Sequence, residues 1–240
     1  MRLDQRLVAL GLAPSRARAQ ALVAAGAVTV DGAVALKPAQ AAPDGAAVAV
    51  VADPCPWVSR AALKLVHALD AFALDPAGAV ALDVGASTGG FTQVLLARGA
   101  ARVIALDVGH GQLAPSLAAD PRVTALEGVN ARDLPEGLIP PLDWIVADVS
   151  FISLTLALPP ALSRARPGAR LAALVKPQFE AGRAAVGRGG MVRDPAALEA
   201  ARARVRDFLV GAGWRVTHEG DSPIMGGDGA REYLIAALKG

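Results

Sequence analysis

A chain of 240 residues, 53% of them hydrophobic and with a formal net charge of +2, holds one sizeable domain plus a small one, and its mild basicity permits a nucleic-acid partner without demanding one. No run of about 18 or more strongly apolar residues free of charge and proline occurs, which speaks against a spanning helix. The opening MRLDQRLVALGL carries Asp4 and lacks both a long apolar stretch and a small-residue cleavage site, so it does not read as a signal peptide. Cys55, the sole cysteine, has no partner for an internal disulfide, and the histidines at 67, 110 and 218 have no metal-ligand spacing. A reducing cytoplasm, no metal and no membrane are therefore expected.

From Arg2 to Leu10, the residues Leu3, Leu7 and Leu10 share one helical face, and Gly11 ends that helix. Ser15 is placed to cap a second helix that stops at Gly26. The period then changes: VTVDGAVAL alternates around Asp31-Gly32, a two-residue hairpin signal, and a second Asp-Gly at 44–45 precedes AAVAVV. These elements predict a small α+β domain over residues 1–52. Asp53-Pro54-Cys55-Pro56 blocks helix and reads as a linker, taken as 53–58.

Over 59–240 helix and strand alternate. Ser59 is expected to cap a helix running to about Phe72, and apolar runs recur at 80–84, 102–107, 123–126, 143–149 and 170–175. That alternation predicts a doubly wound α/β domain with a parallel sheet covered on both faces. A long helix from about Pro195 to Val210 follows, then WRVTHEG, a Gly-rich loop at 226–229 and EYLIAAL. Two strands joined so briefly must be antiparallel, which gives the parallel sheet an antiparallel ending.

ALDVGASTGGFT at 81–92 describes a cofactor turn. Gly85 lets the chain reverse after a buried strand, and Gly89 and Gly90 are expected to leave room for a ligand as a helix begins. Asp107, about 20 residues after the turn, stands where a carboxylate at the tip of the next strand reaches ribose hydroxyls. The G-x-x-x-G-G spacing lacks the pyrophosphate-hugging turn of a dinucleotide site, so a cofactor with a ribose and no pyrophosphate fits better, S-adenosylmethionine being the commonest. Asp148 and Lys176 end adjacent strands and face each other across the same crevice, either as reactive groups or as a salt bridge at the sheet rim. Leu174, Val175 and Phe179 around Lys176 favour its neutral amine as a base. Lys64 falls in a stripe with Arg60 and His67 opposite Leu63, Val66 and Leu69, which by itself reads as a solvated cationic face. Glu232 alone means little.

Together, ALDVGASTGGFT, DVGHGQL at 107–113, VADVSFISL at 146–154 and LVKPQFE at 174–180 resemble the TlyA family of RNA ribose 2′-O-methyltransferases, historically also called haemolysins. The resemblance runs over essentially the whole chain. It implies a Rossmann-like, S-adenosylmethionine-dependent FtsJ-like domain behind a small RNA-binding domain similar to that of ribosomal protein S-four. It carries a Lys-Asp-Lys-Glu set onto Lys64, Asp148, Lys176 and Glu232, and it implies methylation of cytidine in ribosomal RNA. Lys176, kept near Asp148 and made readier to lose its proton by Lys64, becomes the residue expected to accept or guide the hydroxyl proton, with Glu232 orienting a lysine or offsetting its charge. Cofactor contacts are expected from Asp83, Gly85, Ser87, Thr88, Gly89, Gly90, Phe91, Asp107, Val108, Asn130 and Asp148. Some relatives act on the large subunit alone and others on both. The short segment ahead of the first helix leans the expectation towards the large subunit.

For RNA contacts, Arg2, Arg6, Arg16 and Arg18 put cations on both small-domain helices, and Arg60 adds one beside the catalytic set. The segment AGRAAVGRGGMVRD at 181–194 spaces Arg183, Arg188 and Arg193 along a Gly-rich loop, read either as a closure over phosphates or as a flexible solvated loop. Few aromatics are available for base stacking, which favours recognition of folded RNA by shape and backbone. Two other functions compete: a non-catalytic RNA-binding or ribosome-assembly protein, and a membrane-active haemolysin. The intact Asp83, Gly85, Asp107, Asp148 and Lys176 count against the first, and the lack of a secretion signal or membrane helix counts against the second.

Overall fold

The computed structural model describes residues 1–13, 15–51, 56–135, 137–226 and 229–240, and of Arg188 the backbone alone. The chain forms two compact units, Met1–Pro56 and Trp57–Gly240. Half of the expected linker, Asp53 to Cys55, lies outside the described residues, as do positions 227 and 228 of the Gly-rich loop.

In the first unit, helices α1 (Leu3–Ala9) and α2 (Arg16–Ala24) precede strands β1 (Val28–Val30), β2 (Ala33–Val34) and β3 (Val48–Val50). Ser15 accepts a hydrogen bond from the Arg18 amide at 3.2 Å and so caps α2. Asp31 and Gly32 both take positive φ, 51° and 81°, the turn whose twist matches that of the antiparallel strands it joins. β3 pairs on the other side of β1, giving the order β2-β1-β3. The core gathers Leu3, Leu7, Leu22, Val23 and Val28. Leu10 does not join it: α1 stops at Ala9, Leu10 becomes its C-cap, and the side chain is 46% exposed.

The second unit begins with α3 (Ala62–Ala71), two residues later than expected, because Ala61 and not Ser59 is its N-cap. Then come β4 (Val80–Val84), α4 (Gly90–Ala97), β5 (Arg102–Asp107), α5 (Pro115–Ala118), β6 (Val123–Glu127), β7 (Leu142–Ala147), α6 (Leu154–Ala157), α7 (Pro159–Ser163), β8 (Ala165–Val175), α8 (Pro177–Glu180), α9 (Pro195–Gly211), β9 (Trp214–Asp221) and β10 (Tyr233–Lys239). Among the described residues they form a seven-stranded sheet in the order β6-β5-β4-β7-β8-β10-β9. All neighbours are parallel except those of β10, which inserts between β8 and β9 antiparallel to both. The sheet is thus the doubly wound, antiparallel-ended α/β sheet anticipated from the alternation.

Period-two alternation distributes the apolar side chains to both faces. Leu82, Val84, Ile145 and Leu171 pack on one side with Val205 and Leu209 of α9. Trp144, Val146 and Leu174 pack on the other with Leu65 and Leu69 of α3 and Leu95 of α4. Each such buried leucine or valine contributes roughly 1.5–3 kcal/mol. Strand order reverses between β4 and β7, where chain crossovers leave a crevice at the carboxyl edge of the sheet. Gly85, Asp148 and Lys176 each follow directly on a strand ending at that edge, and the β10–β8 register, Tyr233 opposite Val175, brings Glu232 to the same end.

Candidate active site

Two adjoining cavities open at this reversal. One, of ≈ 310 Å³, lies against Asp107, Val108, Val129, Asn130 and Ile152. The other, of ≈ 340 Å³, lies against Arg60, Lys64, Phe91, Lys176 and Met225. Gly85, Ser87, Asp148 and Ser150 border both and form the boundary between them.

The turn that makes this boundary requires its glycine. Gly85 has φ +84°, and a Cβ there would stand 2.7 Å from the Asp148 carbonyl oxygen, so its bareness serves close approach of two backbone segments. Gly89, expected to make room for a ligand, makes room for protein, while Gly90, also tightly packed, borders the second cavity. A Cβ on Gly89 would meet the side chains of Leu113 and Leu117, and one on Gly90 would meet Ser59. Asp107 is fixed by two backbone donors, Ser87 N–H to Oδ2 at 2.8 Å and Gly109 N–H to Oδ1 at 2.7 Å. Each oxygen keeps acceptor capacity beside the first cavity. Asn130 stands on that cavity and caps a short turn by accepting from the Arg132 amide. Thr88 and Phe91 border the second cavity, and Gly89 borders neither.

Asp83 also borders neither. It is 0% exposed, with Oδ2 accepting from the Thr92 hydroxyl at 2.7 Å and Oδ1 left without a hydrogen-bond partner. It lies inside the β4–α4 packing, away from the walls of both cavities. Burial pushes its carboxyl up to about 7, against the pull of its Thr92 hydrogen bonds and with help from Asp148 and Asp107. The unfolded chain releases this proton near pH 4 while the folded chain keeps it to about 7, so Asp83 costs stability increasingly across that interval, on the order of 4 kcal/mol when complete. Asp83→Asn is therefore expected to melt several degrees higher than the parent near pH 8, with the gap closing towards pH 4. Scanning calorimetry at both pH values checks this, and a gap independent of pH would show that Asp83 is ionised in the fold.

In the second cavity two ion pairs stand side by side. Lys176 Nζ is 2.6 Å from Asp148 Oδ1 and donates to Ser150 Oγ at 2.9 Å, while Lys64 Nζ donates to Glu232 Oε2 at 2.5 Å. All four charged side chains are largely buried. The solvated-face reading of Lys64 is overturned: the apolar face of α3 is Ala62, Leu65 and Leu69, and Lys64 turns inward beside it. Its charge is also spoken for by Glu232, so the expected push of Lys64 on Lys176 is offset. Glu232, just ahead of β10, borders neither cavity and reaches the site through Lys64; a Cβ on Gly226 would touch its carboxylate, so the neighbouring loop closes over it. Ser150 went unnoticed in the sequence although it sits two residues beyond Asp148 within VADVSF. Another anchor is Glu180, which accepts from Ser153 Oγ at 2.5 Å and from the Leu154 amide at 2.7 Å, tying the loop after β7 to α8. Burial raises the Glu180 carboxyl, against the pull of those hydrogen bonds.

The expected RNA contacts divide. Arg2 and Arg16 converge on Asp4, buried at the start of α1, which also accepts from Gln20 at 2.9 Å. Arg2 first, then Gln20, holds the Asp4 carboxyl well below the usual range. Arg6 pairs with Asp44 at 2.6 Å. These three arginines are paired with carboxylates, and their charge is partly offset. Arg18 lies in the first turn of α2, Arg60 borders the second cavity, and Arg183 is exposed beside a groove it shares with Arg132 and Arg204. The side chain of Arg188 lies outside the described residues. Among the described residues no group of three or more His, Cys, Asp or Glu could hold a metal ion, and no helix is long and apolar enough to cross a membrane.

Residues 57–239 match the FtsJ-like methyltransferase family and residues 1–48 the S4 domain. A protein of Mycobacterium tuberculosis named 16S/23S rRNA (cytidine-2'-O)-methyltransferase TlyA is 50% identical, the match covering 98% of this chain and 88% of that protein. A Campylobacter jejuni protein named 23S rRNA (cytidine-2'-O)-methyltransferase TlyA is 34% identical over 76% of this chain and 71% of its own length. The solved structure of a protein from Streptococcus thermophilus named as a hemolysin superposes with a TM-score of 0.78 at 38% identity, covering 100% of this chain and 88% of that one.

Proposed function

Because the chain belongs to the FtsJ-like methyltransferase family, in the branch that includes TlyA, we propose that it methylates the 2′-hydroxyl of a cytidine ribose in ribosomal RNA, with S-adenosylmethionine as donor. The observation that carries this reading is the pair of cavities meeting at Asp148 and Ser150, one holding a ribose-type carboxylate and the other a buried lysine.

Asp107 would hold the cofactor ribose, its two oxygens already oriented by Ser87 and Gly109, with Val129 and Ile152 offering apolar contact to a base. S-adenosylmethionine, when bound, supplies a methyl group already activated by its sulfonium. The chain's own task is then to align a weakly acidic hydroxyl and relieve it of a proton. Lys176 Nζ is the acceptor proposed: as the ribose oxygen takes up the methyl group, its proton passes to the neutral amine. Asp148 stabilises the ammonium so formed, and it borders both cavities, so it meets donor and acceptor alike. Lys64 is proposed to contact the acceptor nucleotide, held in place by Glu232. Arg60, Arg18 and Arg183 are proposed phosphate contacts, and the first unit a docking module for folded RNA. With such an RNA substrate, a cytoplasmic location is proposed.

Incubating large and small ribosomal subunits with the protein and deuterium-labelled S-adenosylmethionine tests the reading by nucleoside mass spectrometry. Labelled 2′-O-methylcytidine is expected from large-subunit RNA. Label in the small subunit as well would assign the two-subunit specificity for which the Mycobacterium relative is named. Absence of labelled methylcytidine from both subunits would overturn the assignment.

A further inference from the structure

We infer that Ser150 is a positioning residue for Lys176, setting the direction of its amine at the boundary of the two cavities; this rests on the methyl-transfer reading above. Lys176 Nζ has two polar neighbours, and they act differently. Asp148 Oδ1, 2.6 Å away, supplies the opposite charge. Ser150 Oγ at 2.9 Å accepts an aligned hydrogen bond from Nζ. A lysine nitrogen carries its bonds in a tetrahedral arrangement at the end of a flexible stem, and fixing one N–H restricts where the others, or the lone pair left after deprotonation, point.

Ser150 is itself well held. On one side the Asp148 amide donates to the Val84 carbonyl at 3.0 Å, fixing the start of the loop to β4. On the other, Glu180 clamps Ser153 and the Leu154 amide. Between these anchors Phe151 is kept at φ +66°, a left-handed conformation a bulky residue adopts only when its surroundings impose it. The hydroxyl that directs Nζ thus projects from a loop fixed at both ends, and it borders the donor and acceptor cavities together. Ser150 is exposed, so its loss removes little packing.

The test compares Ser150→Ala and Ser150→Thr in the full chain, alone and with Lys176→Ala, by single-turnover methyl transfer to ribosomal subunits. Ser150→Ala is expected to slow transfer ~10-fold or more, with little change in KM for RNA, while Ser150→Thr, which keeps the oxygen, stays within a few-fold of the parent. In the Lys176→Ala background Ser150→Ala adds no further loss, because the group it directs is gone. Equal slowing in both backgrounds, or a threonine variant as slow as alanine, overturns the inference. A second measurement needs no methyl transfer: the rate at which an amine-acylating reagent labels Lys176, read by peptide mass spectrometry. Without the acceptor oxygen the amine is no longer held in one direction and is more open to the reagent, so labelling is expected to rise several-fold in Ser150→Ala and to return to the parent's in Ser150→Thr. Unchanged labelling overturns the inference. The expected labelling pattern from a protein that methylates no ribosomal RNA sustains the positioning role and sinks the substrate assignment instead.

Discussion

Lys176→Ala is expected to slow methyl transfer by ~100-fold or more while leaving cofactor affinity nearly unchanged. The asymmetry follows from position: Lys176 borders the cavity shared with Lys64 and Arg60, and not the cavity that ends at Asp107. Asp148→Ala should lose a comparable factor in rate and also weaken the cofactor, because Asp148 borders both cavities. Lys176→Arg separates two ways in which the lysine could act. Arginine keeps the positive charge beside Asp148 and cannot supply a neutral base near pH 7, so a base role predicts a rate as low as that of alanine. Single-turnover kinetics with saturating cofactor decide it. An arginine variant with the parent's rate would mean that Lys176 acts through charge and alignment, and the proton would have to leave to solvent.

The order of strands and the glycine turn were legible because they rest on local patterns. Buried parallel strands are short continuous apolar runs, and the reversal after β4 needs a residue with positive φ, so Val80–Val84 followed by Gly85 announces itself. The insertion of β10 beside β8 was not legible, since a hairpin signal tells which strands are antiparallel and not which neighbour the second one finds. The same limit governs the site. Asp148 and Lys176 could be paired from sequence because both end strands of one sheet. Lys64 could not be told from a solvated cation, because the carboxylate that draws it inward lies 168 residues away. Gly89 and Gly90 show that a glycine records a need for space without recording what fills it: here Leu113, Leu117 and Ser59. Arg2 and Arg16 read as an RNA surface because Asp4 reads as an ordinary first-turn acid. The packing of α1 on α2 makes Asp4 a buried hub and commits both arginines to it.

Removing the first unit should abolish transfer to ribosomal RNA and leave S-adenosylmethionine affinity nearly intact. Each unit draws its buried core from its own residues: Leu3 to Ala42 in one, Ala62 to Ala237 in the other. No cavity is opened in the second core when the first is deleted, so the usual cost of several kcal/mol for losing large buried side chains is avoided. The cut must fall before Trp57. Trp57 and Val58 pack against the α3–α4 side of the sheet, and the Val58 amide donates to Gln93 Oε1 at 2.7 Å. A fragment of residues 56–240 therefore keeps both cavities, and calorimetric titration with S-adenosylmethionine should give the parent's affinity. What it loses is the S4-type surface, whose docking on folded RNA is carried largely by phosphate contacts. For the full chain, affinity for ribosomal subunits should fall steeply as salt rises, and the fragment should show both weaker binding and a shallower salt slope. Methylation by the fragment at the full-length rate would mean that the arginines of the catalytic unit suffice for docking, and the division of labour between the two units would be wrong.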